Sequence, residues 1–193
     1  MIVDRKSSEL QLDPIDTARP SEYMQLFMKL EADHEQLKAA CDELCALSMR
    51  GAAVFSRRGA KNLLAVLRER TAAVIGDLSA HARWEDEALF PVFTRYYKQE
   101  IEPTIQPSLW VLEKDYELAM QFFESFMQAS FAQLNLLTLE DGEVGLKFFE
   151  GLKEGCNCLT QGCFILNSHF QMEEELIFPL AEAILTDIDY LFS

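Results

Sequence analysis

Glycine, proline and histidine are scarce in this sequence, whose 193 residues include 8 Gly, 6 Pro and 3 His. All-β sandwiches and barrels need many turns, which Gly and Pro usually supply, so their scarcity favours long regular elements. No stretch shows the alternation of apolar and polar residues that is typical of strands. The length suits a single domain with a core of its own.

Positive charge is scarce as well, since 17 Lys and Arg stand against 32 Asp and Glu, a net charge of −15. Such a surface repels phosphate backbones and anionic lipids, so we expect neither nucleic acid nor a membrane as a partner. No apolar run reaches the roughly 18–20 residues needed to cross a bilayer. Residues 1–20 lack an apolar signal-peptide core and are interpreted as a flexible polar leader, so the expected location is cytoplasmic.

The five cysteines are an odd number without the spacing of a disulfide framework, which indicates reduced thiols. Cys45 follows His34 by eleven residues, and Cys158 precedes His169 by eleven, about three helical turns in each case. If the helices that carry them are antiparallel, both thiols point inward on the same side of the histidines. The spacing allows two interpretations, a pair of small core residues or a redox pair.

Helical periodicity appears in four segments, which are separated by short links. Ser21 is a candidate N-cap of the first segment, Gly51 a candidate stop, and Pro91 is expected to end or kink the second. Short links make neighbouring helices antiparallel, so residues 21–193 predict an all-α, up-down-up-down four-helix bundle. The predicted helices cover residues 21–50, 59–91, 108–137 and 143–185.

The most informative pattern is an eleven-residue frame that occurs twice, HARWEDEALFP from His81 and HFQMEEELIFP from His169. Each frame has His, then Glu four positions later, then Phe-Pro. Residues four apart lie on the same face of a helix, so His81 points with Glu85 and His169 with Glu173. An imidazole and a carboxylate placed in this way can share a metal ion. One such pair alone fits an ordinary core histidine, but two identical frames favour metal binding.

Apolar neighbours on the same stripes indicate that both pairs face the core, where an unpaired carboxylate is costly and needs a proton or a cation. His34 lies in the apolar stripe of the first helix, and alignment of His34–Leu37 with Asp115–Leu118 puts Asp115 at the same depth on the third. The other acidic residues of the two frames are interpreted as a solvated face. The predicted stripe of the third helix comprises Val111, Leu112, Asp115, Leu118, Ala119 and Phe122. The candidate metal ligands are His34, His81, Glu85, Asp115, His169 and Glu173.

These residues resemble those of the hemerythrin-like, or HHE cation-binding, family. The resemblance rests on His34 in EADHEQL and on the two His-x3-Glu frames, and it covers nearly all of the chain after residue 20. The order is also similar to that of the diiron domain of iron–sulfur cluster repair proteins. It implies a cofactor of two iron ions, a non-haem diiron centre bridged by Glu85, Glu173 and an oxo or hydroxo group.

The departure from the family pattern is Asp115, because the family has His on the third helix. A carboxylate adds a negative, hard oxygen in place of a neutral nitrogen, which favours ferric iron or harder metals such as manganese. Manganese is therefore an alternative to iron at the same ligands, and zinc is a further candidate ion. Reversible oxygen carriage is not expected from this ligand set, and one metal position is expected to be the weaker.

The resemblance implies a metal-binding protein that binds or senses O2 or NO, or that handles iron under oxidative or nitrosative stress. No residue pattern indicates a dedicated general acid or base, so a hydrolase is not expected. Two alternatives stay open: a diiron redox enzyme such as an iron–sulfur repair protein, and a structural or interaction bundle with a degenerate metal site. A homodimer or a protein partner is compatible with either.

Overall fold

A computed structural model of the chain describes residues 22–92, 102–139 and 145–192. In these residues four long helices form the whole of the regular structure apart from one 3-10 turn and one π turn, with no strand, so the predicted all-α class is confirmed. None of the described helices is long and apolar enough to cross a membrane. The predicted leader over residues 1–20 and the Ser21 cap lie outside the described residues. The helices are α1 (Glu22–Met49), α2 (Arg57–Trp84, extended by a π-helical turn over Glu85–Leu89), α3 (Glu102–Leu139) and α4 (Leu146–Phe192).

The turn between α1 and α2 is close to its predicted position. A short 3-10 helix over Arg50–Ala53 follows α1 and contains Gly51, the predicted stop. α2 then begins at Arg57, two residues before its predicted start, because Ser56 caps it. The Ser56 hydroxyl accepts a hydrogen bond of 3.2 Å from the backbone N–H of Gly59, which satisfies one of the unpaired donors of the first turn.

Prolines interrupt these helices less than predicted. α3 begins at Glu102 instead of residue 108 and includes Pro103 and Pro107, and α4 continues through Pro179 to Phe192. Pro103 stands in the first turn of α3, where backbone N–H groups have no helical partner and a missing one costs nothing. A proline within a helical pattern therefore does not always end the helix, because tertiary packing can stabilise the helical segments on both sides of it.

Each helix packs against two neighbours, in the order α1–α2–α3–α4 and back to α1. The contacts between α1 and α4 run in opposite order along the two helices. Near the start of α1, the ring of Phe27 meets that of Phe178 at a centroid distance of 4.9 Å. Further along α1, the thiol of Cys45 contacts that of Cys163, which precedes Phe178 in α4. The helices thus surround one continuous interior.

That interior consists of two apolar clusters with a polar layer between them. The main cluster fills most of its length, and the smaller one centres on Leu30, Leu89 and Ile177, with Phe90 and Phe178 of the repeated Phe-Pro pairs against it. The polar layer lies one helical turn from Leu30 and from Leu89. Its fully or almost fully buried side chains are His34, His81, Glu85, His169 and Glu173.

The predicted inward stripe of α3 is partly wrong. Leu118 is 42% exposed and Val111 is 37% exposed, whereas Ala119 is fully buried. Phe123 and Phe126 continue the buried stripe from Ala119. The inward face of α3 is therefore rotated by about one residue from the predicted one, which bears directly on the position of Asp115.

Close packing of α3 against α4 depends on Gly162. An added Cβ there would lie 2.8 Å from Cε1 of Phe123 and 3.2 Å from Cβ of Phe122, closer than packed carbons approach. Gly76, in α2, is a natural control because an added Cβ there meets nothing within 4 Å.

We predict that Gly162→Ala destabilises the protein by about 1–3 kcal/mol, since overpacking outweighs the gain in helix propensity. Gly76→Ala should instead stabilise it by roughly 0.5–1 kcal/mol. Urea unfolding of both variants measures the difference. Equal stabilisation by the two substitutions would contradict the close approach of α3 and α4.

Candidate metal centre

Four side chains from three helices converge in the polar layer. One ligand atom from each of His34, His81, Glu85 and Glu173 lies within 4.8 Å of all the others. His34 comes from α1, His81 and Glu85 from α2, and Glu173 from α4. Their side chains are buried, with exposures from 0 to 6%. A single cation placed among them would have two imidazoles and two carboxylates as neighbours.

The contacts within the group follow the repeated frames. Nε2 of His81 lies 2.9 Å from Oε1 of Glu85, and Nε2 of His169 lies 3.6 Å from Oε2 of Glu173. Nε2 of His34 lies 3.4 Å from the same Oε2 of Glu173. Glu173 is therefore placed between two histidines, and His169 adjoins the four-residue group through it.

The four central atoms are buried without a hydrogen-bond partner of suitable geometry. They are Nε2 of His34, Nε2 of His81, Oε1 of Glu85 and Oε2 of Glu173. Each unsatisfied polar atom in an apolar interior costs on the order of 1–3 kcal/mol, and more when it is charged. Because nitrogen and oxygen lone pairs meet at one place, a metal ion fits this donor set and would satisfy all four atoms.

The other ring nitrogen of each histidine faces a hydrogen-bond acceptor outside the group. Nδ1 of His34 lies 3.0 Å from Oε1 of Glu174, and Nδ1 of His81 lies 3.3 Å from Oδ2 of Asp33. Nδ1 of His169 lies 3.1 Å from the carbonyl oxygen of Leu112. These acceptors favour the tautomer with the proton on Nδ1, which leaves Nε2 of all three rings free to bind a metal.

Two lysines hold the outer carboxylates in place. Nζ of Lys38 donates to Oε1 of Glu174 at 2.6 Å. Lys29 pairs with Asp33, and its ammonium group also lies 4.5 Å from the centre of the Trp84 ring. Each ion pair fixes a carboxylate that in turn orients a histidine, an arrangement common around bound metals.

Sequence reasoning missed this outer layer. The interpretation of Glu174 as part of a solvated face is wrong, because its side chain is only 23% exposed and contacts both His34 and Lys38. Asp33 was not considered. A signal was present, since Lys29 precedes Asp33 by four residues and Lys38 follows His34 by four. Spacing within one helix does not predict which residue of another helix each lysine or carboxylate contacts.

The backbone changes its winding at Glu85, the second candidate ligand on α2. A π-helical turn begins at Glu85, and the N–H of Phe90 bonds to the carbonyl of Glu85 five residues earlier. Such turns are rare and occur often at functional sites. This turn ends two residues before Pro91, whose missing N–H disturbs regular helix geometry.

Asp115 lies on α3 one turn after Leu112 and is half-buried, outside the four-residue group. Its negative charge is close enough to raise the pKa of His169, although burial has the larger effect and lowers it. The alignment behind Asp115 relied on Leu118, which is exposed. The buried stripe through Leu112 and Ala119 instead runs past Tyr116, which packs against the main core.

The protonation states of the layer reflect its burial. Burial, together with the negative charge of Glu173, raises the pKa of Glu85 to about 10. Burial acts to raise the pKa of Glu173, but the neighbouring His34, His169 and Glu85 together outweigh it and keep that pKa below its usual range. Burial lowers the pKa of His81 and of His169, which favours neutral rings. Without a metal, Glu85 therefore carries a proton while Glu173 is ionised.

A surface pocket of about 180 Å³ opens between α1 and α2 beside this layer. Its lining includes the charged side chains of Lys29, Asp33 and Asp77, and His81 also contributes to it. His81 is only 4% exposed. The pocket thus brings solvent to one side of the histidine without opening the layer itself.

Comparison of the chain with family models, curated proteins and solved structures found no match. The resemblance to hemerythrin-like proteins that the residue spacing indicates therefore stays a prediction.

We predict that Glu85→Gln flattens the pH dependence of stability in the metal-free protein. The pKa of Glu85 is higher in the folded state than its ordinary 4.5. Below pH 4.5 the side chain is protonated in both the folded and the unfolded state, so it costs no stability. Above pH 4.5 the unfolded chain ionises while the folded chain keeps the proton, and the free energy of unfolding falls by up to about 1.4 kcal/mol per pH unit. Glutamine does not ionise, so the Glu85→Gln variant should lack this loss of stability.

Urea unfolding at pH 5 and pH 8 in the presence of a chelator measures this effect, with Glu87→Gln as the control at an exposed position of the same π turn. The wild type and the Glu87→Gln variant should lose stability at pH 8 relative to Glu85→Gln. An equal change in all three proteins would contradict the buried, protonated Glu85.

Proposed function

We propose that this chain is a hemerythrin-like metal-binding protein with a dinuclear non-haem iron centre in its polar layer. The observation that carries the proposal is the set of four buried, unsatisfied donor atoms directed at one place. Imidazole nitrogens combined with carboxylate oxygens are a donor set that iron, manganese and zinc accept. In helix bundles such sets project inward from facing helices, as they do here.

We also propose that the four helices form an up-down-up-down bundle. The supporting contacts lie at the interfaces of α1 with α4 and of α1 with α2. Phe27 meets Phe178 while Cys45 meets Cys163, and Asp33 meets His81 while Glu43 meets Arg70. This topology would bring His34 of α1, the C-terminal end of α2 and Glu173 of α4 to one depth, where a polar layer can be shared.

In the proposed centre, His34, His81 and His169 bind through Nε2, and Glu85 and Glu173 supply carboxylate oxygens. Glu173, whose Oε2 lies near Nε2 of both His34 and His169, would supply carboxylate oxygens beside both histidines. When bound, the irons would supply redox chemistry and an open coordination position for a small ligand. The chain itself fixes the ring orientations through Asp33 and Glu174 and excludes bulk water with the two apolar clusters.

The second metal position is the weaker one in this proposal. On the α3 side of His169 the chain offers Asp115, which is half-buried, and Tyr116, which packs in the core. We propose Asp115 as a ligand on this side, because its charge lies close enough to His169 to act on the pKa of that histidine. A protein that fills only the His34–His81 side is the second candidate, and the exposure of Leu118 is the observation that favours it.

The proposed ligands of the centre are O2 and NO, and the proposed role is binding or sensing them or handling iron under oxidative or nitrosative stress. A small, uncharged molecule suits a buried site beside a pocket that is lined by His81 and by side chains of both charge signs. Diiron redox catalysis, including iron–sulfur repair, would need a reductant or a protein acceptor at the same centre.

We predict that Glu173→Gln abolishes tight binding of Fe²⁺ or Mn²⁺, because it removes the carboxylate placed between two histidines. Glu175→Gln is the matched control. Glu175 lies two residues away and is exposed, and it accepts a hydrogen bond from the side chain of Gln171. Anaerobic calorimetric titration of the metal-free proteins measures the loss. Equal affinities in the two variants would contradict the proposed centre.

A related prediction concerns the outer layer. Glu174→Gln should keep the fold but weaken metal binding by about 10–100-fold, because it removes the charged acceptor that orients His34. The same titration gives the affinity, and circular dichroism monitors the helices. Unchanged affinity would mean that Glu174 has no part in positioning His34.

A further inference from the structure

A group of three thiols lies in the interior away from the polar layer. Cys163 of α4 contacts the thiols of both Cys41 and Cys45 of α1. Cys41 and Cys163 are fully buried, and Cys45 is half-buried at the edge of the main core. Cys45 thus contacts Cys163, whereas one of the two interpretations of the sequence paired it with Cys158. None of these cysteines takes part in the proposed metal centre.

We propose that Cys45 and Cys163 form an oxidisable thiol site, at which a small neutral hydroperoxide converts the two thiols into a disulfide joining α1 to α4. Nothing in this proposal depends on the metal centre. The site has an entrance, since Cys45 is the member of the group that reaches the edge of the core, while Cys163 lies behind it.

The reaction balances without any further reactant. The Cys45 thiol loses its proton, and its sulfur attacks one peroxide oxygen. The O–O bond breaks, giving a sulfenic acid on Cys45 and water or alcohol as the leaving group. The Cys163 sulfur then attacks the Cys45 sulfur, the S–O bond breaks, and the second oxygen leaves as water. Two thiols are oxidised by two electrons, and one hydroperoxide is reduced.

Geometry selects the bond between helices over one within α1. Cys41 and Cys45 are four residues apart on a helix, where Cβ atoms are about 5–6 Å from each other. A disulfide needs Cβ atoms about 3.5–4.5 Å apart, so that pair cannot close without distorting the helix. Cys163 already contacts Cys45 across the helix interface. Cys41, which also contacts Cys163 but lies deeper, has no access to the oxidant of its own.

The surroundings indicate the kind of oxidant and the rate. Asp42 follows Cys41 directly and places a negative charge near Cys45, in a protein whose net charge is −15. Anionic oxidants are therefore disfavoured relative to neutral hydroperoxides. Burial raises the pKa of Cys45, so the reactive thiolate is a small fraction at neutral pH and the oxidation is slow. This suits a response to sustained peroxide more than rapid scavenging.

The test is treatment of the folded, metal-depleted, full-length protein with hydrogen peroxide, followed by alkylation of free thiols and mass mapping without reduction. Cleavage after Glu43 separates Cys41 from Cys45, and cleavage after Leu159 separates Cys163 from Cys156 and Cys158. We expect a Cys45–Cys163 cross-link, with a loss of two hydrogen masses that a dithiol reductant reverses.

Variants decide the assignment. Cys45→Ser should lose the cross-link, whereas Cys158→Ser, which alters another half-buried thiol, should keep it. Cys41→Ser should keep it as well. No intramolecular cross-link in the wild type, or a cross-link of Cys45 to Cys158, would overturn the proposal. So would a cross-link that persists in Cys45→Ser.

Discussion

The structure depends on the burial of two carboxylates, Glu85 and Glu173, between two apolar clusters. Taking such groups out of water is costly, and their mutual repulsion adds to the cost. Without a metal the layer tolerates them because Glu85 is protonated and Glu173 lies between His34 and His169. A bound cation would neutralise both carboxylates without that proton. Metal binding is therefore expected to raise the stability of the core.

The rest of the interior serves to keep that layer in place. Asp33 and Glu174 hold two rings from outside, and each is held in turn by a lysine. Close contacts such as that of Gly162 with Phe123 fix α4 against α3, so that the carbonyl of Leu112 reaches His169. The layer thus draws on all four helices, although its four central residues come from only three of them.

The parts that the sequence predicted are those that depend on one helix at a time. The i to i+4 spacing of His81 with Glu85 requires only helix geometry, and the all-α class follows from the long periodic segments. The predicted inward face of α3 was wrong by about one residue because apolar residues occupy several faces of this helix. Exposed Leu118 is as apolar as buried Ala119, so the sequence does not distinguish them. The roles of Glu174 and Cys163 depend on what α1 presents to α4, which no local pattern contains.

The central claim is that the buried histidines and glutamates hold a pair of metal ions. The most direct measurement is elemental analysis of anaerobically purified protein, with an optical spectrum before and after exposure to air. Two irons per chain, with new near-ultraviolet absorption after oxidation, is the result this account predicts. A protein that contains no metal, and whose melting temperature is unchanged by added Fe²⁺, would contradict it.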